Sequence, residues 1–90
     1  MVTLEEMKNY LHVDYDDDDF LIQSFLEAAK KQCKDILRTD EDAVLESADN
    51  SRIAVMYATA YFYEHREEAD HHAMNLTLRS LLFGSRKEGF

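Results

Sequence analysis

The absence of proline and glycine from residues 1–83 constrains this chain more than any other feature of its sequence. The 90 residues include no proline and only two glycines, Gly84 and Gly89, both near the C-terminus. Small sheet proteins usually need Gly, Pro or Asn-Gly turns between their strands. The sequence therefore predicts an all-α fold, a small helical bundle of three main helices followed by a short C-terminal helix and a tail.

Composition limits the broad class of the protein. Ninety residues make one domain, and 46% hydrophobic with 32% charged residues is an ordinary globular composition. The formal net charge of −9 argues against a general nucleic-acid binder, because neutralising phosphates needs clustered Lys and Arg. The single cysteine excludes an internal disulfide, and no apolar run is long enough to span a membrane. The N-terminus lacks the features of a signal peptide, so we expect the protein to start in a cytoplasm.

Local signals place two helices in the first half of the chain. Residues 3–6 fit a capping box, which begins a helix near residues 3–12. A second helix near residues 18–37 starts among the aspartates of residues 14–19, because negative charge is favourable at a helix N-terminus. The polar residues 39–50 are predicted to be a connecting loop with at most a short turn.

The third predicted helix, near residues 51–67, is the most informative segment. Residues 53–63 are apolar at every position except Thr59. A helix that is apolar on nearly all sides is either central in a bundle or buried by another chain. Three short neighbours would not easily cover it, which favours a partner subunit. We therefore expect an interface between copies of the chain, with Ala58 facing outward, at the residues Ala54, Tyr57, Ala58, Tyr61 and Phe62.

A last amphipathic helix is predicted near residues 74–83, and Gly84 stands at the position that commonly ends a helix. Residues 1–84 would then form one helical domain. Residues 85–90 lack apolar periodicity and are predicted to be a flexible tail.

Neither calcium binding nor cysteine chemistry is predicted. A calcium loop starting at Asp14 would need glycine at its sixth position and glutamate at its twelfth, where the chain has Asp19 and Phe25. A solvated cluster at a helix start is the better interpretation of these aspartates. Cys33 lies on the apolar stripe of the second helix and is interpreted as a core residue. We find no pattern of catalytic or cofactor-binding residues.

A histidine group leaves one alternative open. His65, His71 and His72 lie close in sequence, and Glu68 is about one helical turn from the last two. Such spacing can hold a metal ion, but a third ligand is not evident. A metal-dependent helical enzyme is therefore a weaker hypothesis, and no metal site is predicted.

The chain resembles the small head–tail connector (adaptor) proteins of tailed bacteriophages, a family also described as DNA-packaging proteins. Residues 3–14 (TLEEMKNYLHVD) resemble the family's opening helix, which leads into an acidic loop. Residues 19–29 (DFLIQSFLEAA) are similar to its second helix. Residues 53–67 (IAVMYATAYFYEHRE) are similar to its most typical segment, and residues 78–84 (LRSLLFG) also fit. The polar segment 39–50 departs from the family, where many relatives carry a Thr-Gly-like turn after the second helix.

This resemblance implies a structural virion protein and no enzyme. Such proteins form rings below the portal after DNA packaging and provide the surface on which a stopper or tail-completion protein docks. Genomic DNA would pass through the ring without specific binding. The resemblance places the protein at the head–tail junction of the virion, and in the host cytoplasm during assembly. It also implies a portal-docking role for the C-terminal residues Arg86, Lys87 and Phe90.

The acidic first half keeps a second interpretation open. The chain could be an acidic helical protein of a phage or prophage that mimics DNA or binds a basic host partner. The acidic first half supports this alternative, whereas the hydrophobic third helix does not.

Overall fold

The computed structural model describes residues 1–66 and 71–83, which form five helices. In chain order these are α1 (Leu4–Leu11), α2 (Asp19–Leu37), α3 (Asp42–Ser47), α4 (Ser51–Glu64) and α5 (His72–Leu82). No strand occurs in these described ranges, and the all-α prediction is confirmed.

Two boundaries and one element differ from the prediction. Residues 42–47 of the predicted loop form α3, whose one buried side chain, Leu45, fixes this short helix against the core. The third main helix, α4, ends at Glu64, and the next two residues form a turn. The last helix begins two residues earlier than predicted, while the proposed role of Gly84 falls outside the described residues.

The bundle is organised around α2 and α4, which run in opposite directions. The N-cap of α2 lies beside the end of α4, where the Tyr63 hydroxyl reaches Asp18. Further along, the rings of Phe25 and Phe62 are 6.1 Å apart. The residues of this core that have no exposed surface include small side chains, which let helices approach closely: Ala29, Cys33, Ala54, Val55 and Ala58.

The remaining helices close the core from the sides. Met7 of α1 and the α5 side chains Met74 and Leu78 are fully buried. Gln32 Nε2 of α2 donates a 2.7 Å hydrogen bond to Asn75 Oδ1 of α5. At the other end of α5, Asn50 Nδ2 donates to the Leu81 carbonyl at 3.0 Å. Thus α5 starts near the end of α4 and finishes near its beginning.

Helix ends are fixed by two kinds of cap. The predicted capping box of α1 is present: the Glu6 N–H donates to Thr3 Oγ1 at 3.1 Å, and the Thr3 N–H donates to Glu6 Oε1 at 2.9 Å. By contrast, α1 and α2 end at His12 and Arg38, which take left-handed backbone conformations with φ of 61° and 60°. Both ends form the paired hydrogen bonds of a Schellman motif, a geometry that glycine usually supplies.

Candidate functional site

The outward face of α4 carries aromatic side chains that the described chain leaves partly exposed. Tyr57 and Tyr61 lie one turn apart on this face, with ring centroids separated by 6.3 Å. Tyr10 of α1 stands beside them and is half exposed. These rings line a depression of about 280 Å³, named here the aromatic groove, formed by Tyr10, Tyr57, Ala60, Tyr61, Glu64 and His65.

Two histidines fix the ring of Tyr61. The imidazole of His65 stacks on it, with centroids 4.1 Å apart, and His71 approaches edge-on at 5.9 Å. Nδ1 of His65 also lies 3.0 Å from the Tyr61 carbonyl oxygen, a hydrogen-bond distance for an Nδ1–H donor. The groove therefore offers a preorganised aromatic wall, which lowers the entropy cost of binding.

An ion pair holds α1 beside α4. The guanidinium of Arg52 donates from Nη1 to Glu6 Oε1 at 3.1 Å and from Nη2 to Oε2. Hydrogen bonding from Arg52, followed by that from the Thr3 backbone, lowers the pKa of Glu6 from 4.5 to about 2. This bidentate contact links the eight-residue α1 to α4, and Tyr10 of the same helix stands at the groove.

The five residues expected at a subunit interface do not share one exposed surface in the structure. Ala54 and Ala58 have no exposed surface, so the expectation that Ala58 faces outward is wrong. These two small side chains face the chain's own core, and a uniformly apolar run has no periodicity that reveals this orientation. Phe62 is half-buried between Phe25 and His71. Of the five, Tyr57 and Tyr61 are brought together at the aromatic groove.

Three aspartates around the start of α2 form ion pairs or hydrogen bonds with neighbouring helices. Nζ of Lys8 lies 2.8 Å from Asp16 Oδ1 and 2.7 Å from Asp19 Oδ1, which raises the pKa of Lys8. Asp18 is the N-cap residue of α2, but its side chain does not cap the backbone. Its Oδ2 instead accepts a 2.6 Å hydrogen bond from the Tyr63 hydroxyl. The segment is thus anchored to α1 and α4, while Asp14, Asp16 and Asp17 remain exposed at the start of the helix.

Phe20 is a surface feature that the sequence interpretation missed. Its side chain is 86% exposed, the highest value among the exposed large apolar residues described. A helical wheel of 100° per residue places it opposite the buried stripe that includes Ile22 and Leu26. This position outside the apolar stripe is the sequence signal from which the exposure of Phe20 could have been predicted. Covering such a ring with a partner would release unfavourable hydration.

Cys33 and three histidines are the candidates for reactive or metal-binding chemistry in the part of the chain described. Burial raises the pKa of the Cys33 thiol to about 12, so it stays protonated at neutral pH. The rings of His65 and His71 pack on Tyr61, while His72 begins α5. Glu68, the partner considered for a metal, lies outside the described residues. No group of three His, Cys, Asp or Glu side chains in residues 1–66 and 71–83 is arranged to hold a metal ion.

Arg86, Lys87 and Phe90, which were expected to form a docking tail, lie outside the described residues. Among the helices that the structure does describe, none is long and apolar enough to cross a membrane.

Comparison with known proteins identifies the family. The family model described as "Phage gp6-like head-tail connector protein" matches residues 1–88. No curated protein and no solved structure matches the chain. The match indicates a structural protein of the junction between the head and tail of a phage virion. It agrees with the sequence resemblance, and the chain therefore belongs to the phage gp6-like head–tail connector family.

Proposed function

We propose that the chain is a ring-forming adaptor that attaches below the portal after DNA packaging and provides a docking surface for a stopper or tail-completion protein. The observation that carries this proposal is the family match over residues 1–88. Ring formation also suits a small chain with exposed aromatic surface, because contacts between unlike surfaces of identical subunits close into rings.

The aromatic groove supplies part of the contact between subunits in this proposal. Tyrosine is enriched in protein interfaces because its ring buries a large apolar area while its hydroxyl retains a hydrogen bond. Tyr57 and Tyr61 are already held by packing and lose little freedom when covered. Ala54 and Ala58 contribute indirectly, by seating α4 against the core.

The acidic character of the chain fits passage of DNA through the ring without specific binding. The chain has 19 acidic and 10 basic residues. Negative walls repel phosphate, so a channel built from such subunits would not retain the genome. Docking to the portal is proposed for the C-terminal tail, with Arg86 and Lys87 facing acidic groups and Phe90 filling a small apolar pocket.

Reconstitution with isolated phage heads tests the proposal. The full chain is mixed with DNA-filled, tailless heads that contain the portal, and bound protein is measured by sedimentation and viewed by electron microscopy. We expect a closed ring at the portal vertex and restored attachment of tails. Absence of the chain from that vertex, in heads that accept tails normally, would contradict the proposal.

A matched pair of variants tests the groove. Tyr57→Glu places a charge on the aromatic groove, whereas Ala43→Glu places the same charge on the exposed surface of α3. We expect Tyr57→Glu to abolish ring formation with helicity retained, and Ala43→Glu to assemble normally. Equal assembly of both variants would show that the subunit contact lies elsewhere.

A further inference from the structure

No other described segment covers the outer face of α5, and this face carries an unusual charge. Leu76 is 56% exposed there, and the exposed Arg79 follows one turn later. No described carboxylate forms an ion pair with Arg79. Among the described helices, α5 alone carries no acidic side chain, although the chain has a net charge of −9. This face therefore combines an apolar contact point with a positive charge.

The start of α2 has the complementary properties. Phe20 projects from it with 86% of its surface exposed. Asp16 and Asp17 lie one turn before the ring and are both exposed. Asp16 shares Lys8 with Asp19, and Asp17 has no ion pair among the described residues. An apolar projection flanked by negative charge fits an apolar surface flanked by positive charge.

The two surfaces lie apart along the bundle, because Asn75, next to Leu76, contacts Gln32 in the second half of α2, whereas Phe20 lies at the start of that helix. The start of α2 adjoins the end of α4 through the contact between Asp18 and Tyr63. Arg79 lies close to the C-terminal end of α5, which adjoins the beginning of α4 through Asn50. Each surface carries charge of one sign, so neither is complementary to its own copy. A reciprocal pairing of the two surfaces across a twofold axis would stop at a dimer. A head-to-tail pairing of one surface with the other surface of the next copy is heterologous, and it closes into a ring when the rotation between copies allows it.

We propose that neighbouring copies meet with Phe20 of one copy against Leu76 of the next, and with Asp16 and Asp17 facing Arg79. The proposed partner is a second copy, because the two surfaces carry opposite charge. Most other pairings between the surfaces of two copies of this acidic chain bring like charges together. The proposal rests on the ring-forming role and adds a directional contact to the one at the aromatic groove.

Cysteine trapping tests the contact in the full chain. Phe20→Cys combined with Leu76→Cys is oxidised at high protein concentration and also after binding to portal-containing heads. Cys33 stays in place, because its buried thiol does not react in the folded state. A head-to-tail contact produces a ladder of linked chains. The control pair, Phe20→Cys with Val44→Cys, joins the same residue to an exposed position on α3 and should give no ladder. Equal ladders from both pairs would overturn the proposal.

Charge reversal adds a second readout. In the trapping background, Arg79→Glu should reduce the yield of the ladder roughly five-fold, since it replaces an attraction by a repulsion. Adding Asp17→Arg should restore the yield. No loss with Arg79→Glu, or no recovery in the combined variant, would also overturn the contact.

These results separate this inference from the proposed function. Wild-type rings on portal-containing heads, without specific trapping, would leave the adaptor role intact and exclude this contact. Specific trapping without any binding to such heads would support the contact and reject the adaptor role.

Discussion

The hydroxyl of Tyr63 donates a 2.6 Å hydrogen bond to Asp18 Oδ2, joining residues that are 45 positions apart in the chain. Tyr63 ends the aromatic part of α4, and Asp18 is the N-cap residue of α2. The guanidinium of Arg66 lies 4.9 Å from the centre of the same ring. This contact ties the acidic segment to the end of α4, next to the start of α2, from which Phe20 projects.

Replacing Tyr63 with Phe should weaken this junction without unfolding the chain. The variant loses one hydrogen bond to a carboxylate, and partial exposure keeps the expected loss of unfolding free energy near 1 kcal/mol. Urea denaturation followed by circular dichroism measures it. Tyr10→Phe is the control, because this half-exposed ring makes no hydrogen bond described in the structure. An equal effect from both variants would show that the Tyr63 hydroxyl is not stabilising.

Ala58→Asp should destabilise the folded chain itself. Ala58 has no exposed surface, and an unpaired carboxyl buried there would cost several kcal/mol, about 3 or more. We expect a large loss of helicity or thermal stability, whereas Ala43→Asp on the exposed surface of α3 should change little. Circular dichroism melts give both values. A folded Ala58→Asp protein that fails only in assembly would contradict the position of this residue in the core.

Two leucines of α5 offer a matched comparison. Leu78 is fully buried and Leu76 is 56% exposed. Leu78→Ala should lower the free energy of unfolding by about 2–5 kcal/mol, since it removes buried methyl groups and leaves a cavity. Leu76→Ala should change it by less than about 0.5 kcal/mol. Comparable losses from the two substitutions would mean that α5 docks on the bundle through a different face.

The ion pair of Glu6 predicts a specific acid sensitivity. Its pKa is lowered from 4.5 to about 2, so the folded state binds this proton less readily than the unfolded state. The stabilisation is complete above 4.5 and disappears as the pH falls through this range. Melting temperatures measured across it should fall less steeply for Glu6→Gln than for the wild type. Identical slopes would indicate that the contact with Arg52 does not persist in solution.

Deletion of residues 85–90 tests the proposed docking tail. The truncated chain should keep its helicity and melting temperature, because these residues lack apolar periodicity. It should bind portal-containing heads poorly and leave filled heads that leak DNA or lack tails. Replacing only Arg86 and Lys87 by Ser separates the effect of charge from that of Phe90. Normal tail attachment by the truncated chain would reject the tail's role.

Local sequence patterns predicted the fold correctly where a pattern is compatible with only one local structure. The capping box at Thr3 and the apolar stripe through Ile22 and Leu26 specify both the element and its buried face. The run around Ala58 specified a helix but no orientation, because every side of it is apolar. The six-residue α3 was missed because one buried side chain, Leu45, leaves no repeating pattern.

The candidate site was predictable only in part. Tyr57 and Tyr61 were identified because tyrosines in a helix that is apolar on nearly all sides suggest an interface. Tyr10 could not be assigned to the same groove, since its proximity depends on the packing of α1 against α4, two segments that are distant in sequence. The hydrogen bond from Tyr63 to Asp18 likewise depends on the antiparallel packing of α2 and α4, which no local pattern reveals.

The left-handed ends of α1 and α2 have a consequence for the order of folding. Outside glycine this conformation costs roughly 1 kcal/mol or more, so an isolated peptide would not favour stopping its helix at His12 or Arg38. The buried Val13, directly after His12, shows how tertiary packing offsets that cost. We therefore expect the ends of α1 and α2 to become fixed only once neighbouring segments have docked. Glycine at either position should remove this conformational cost. The helix could then end at that residue, and the turn could form, before the bundle assembles.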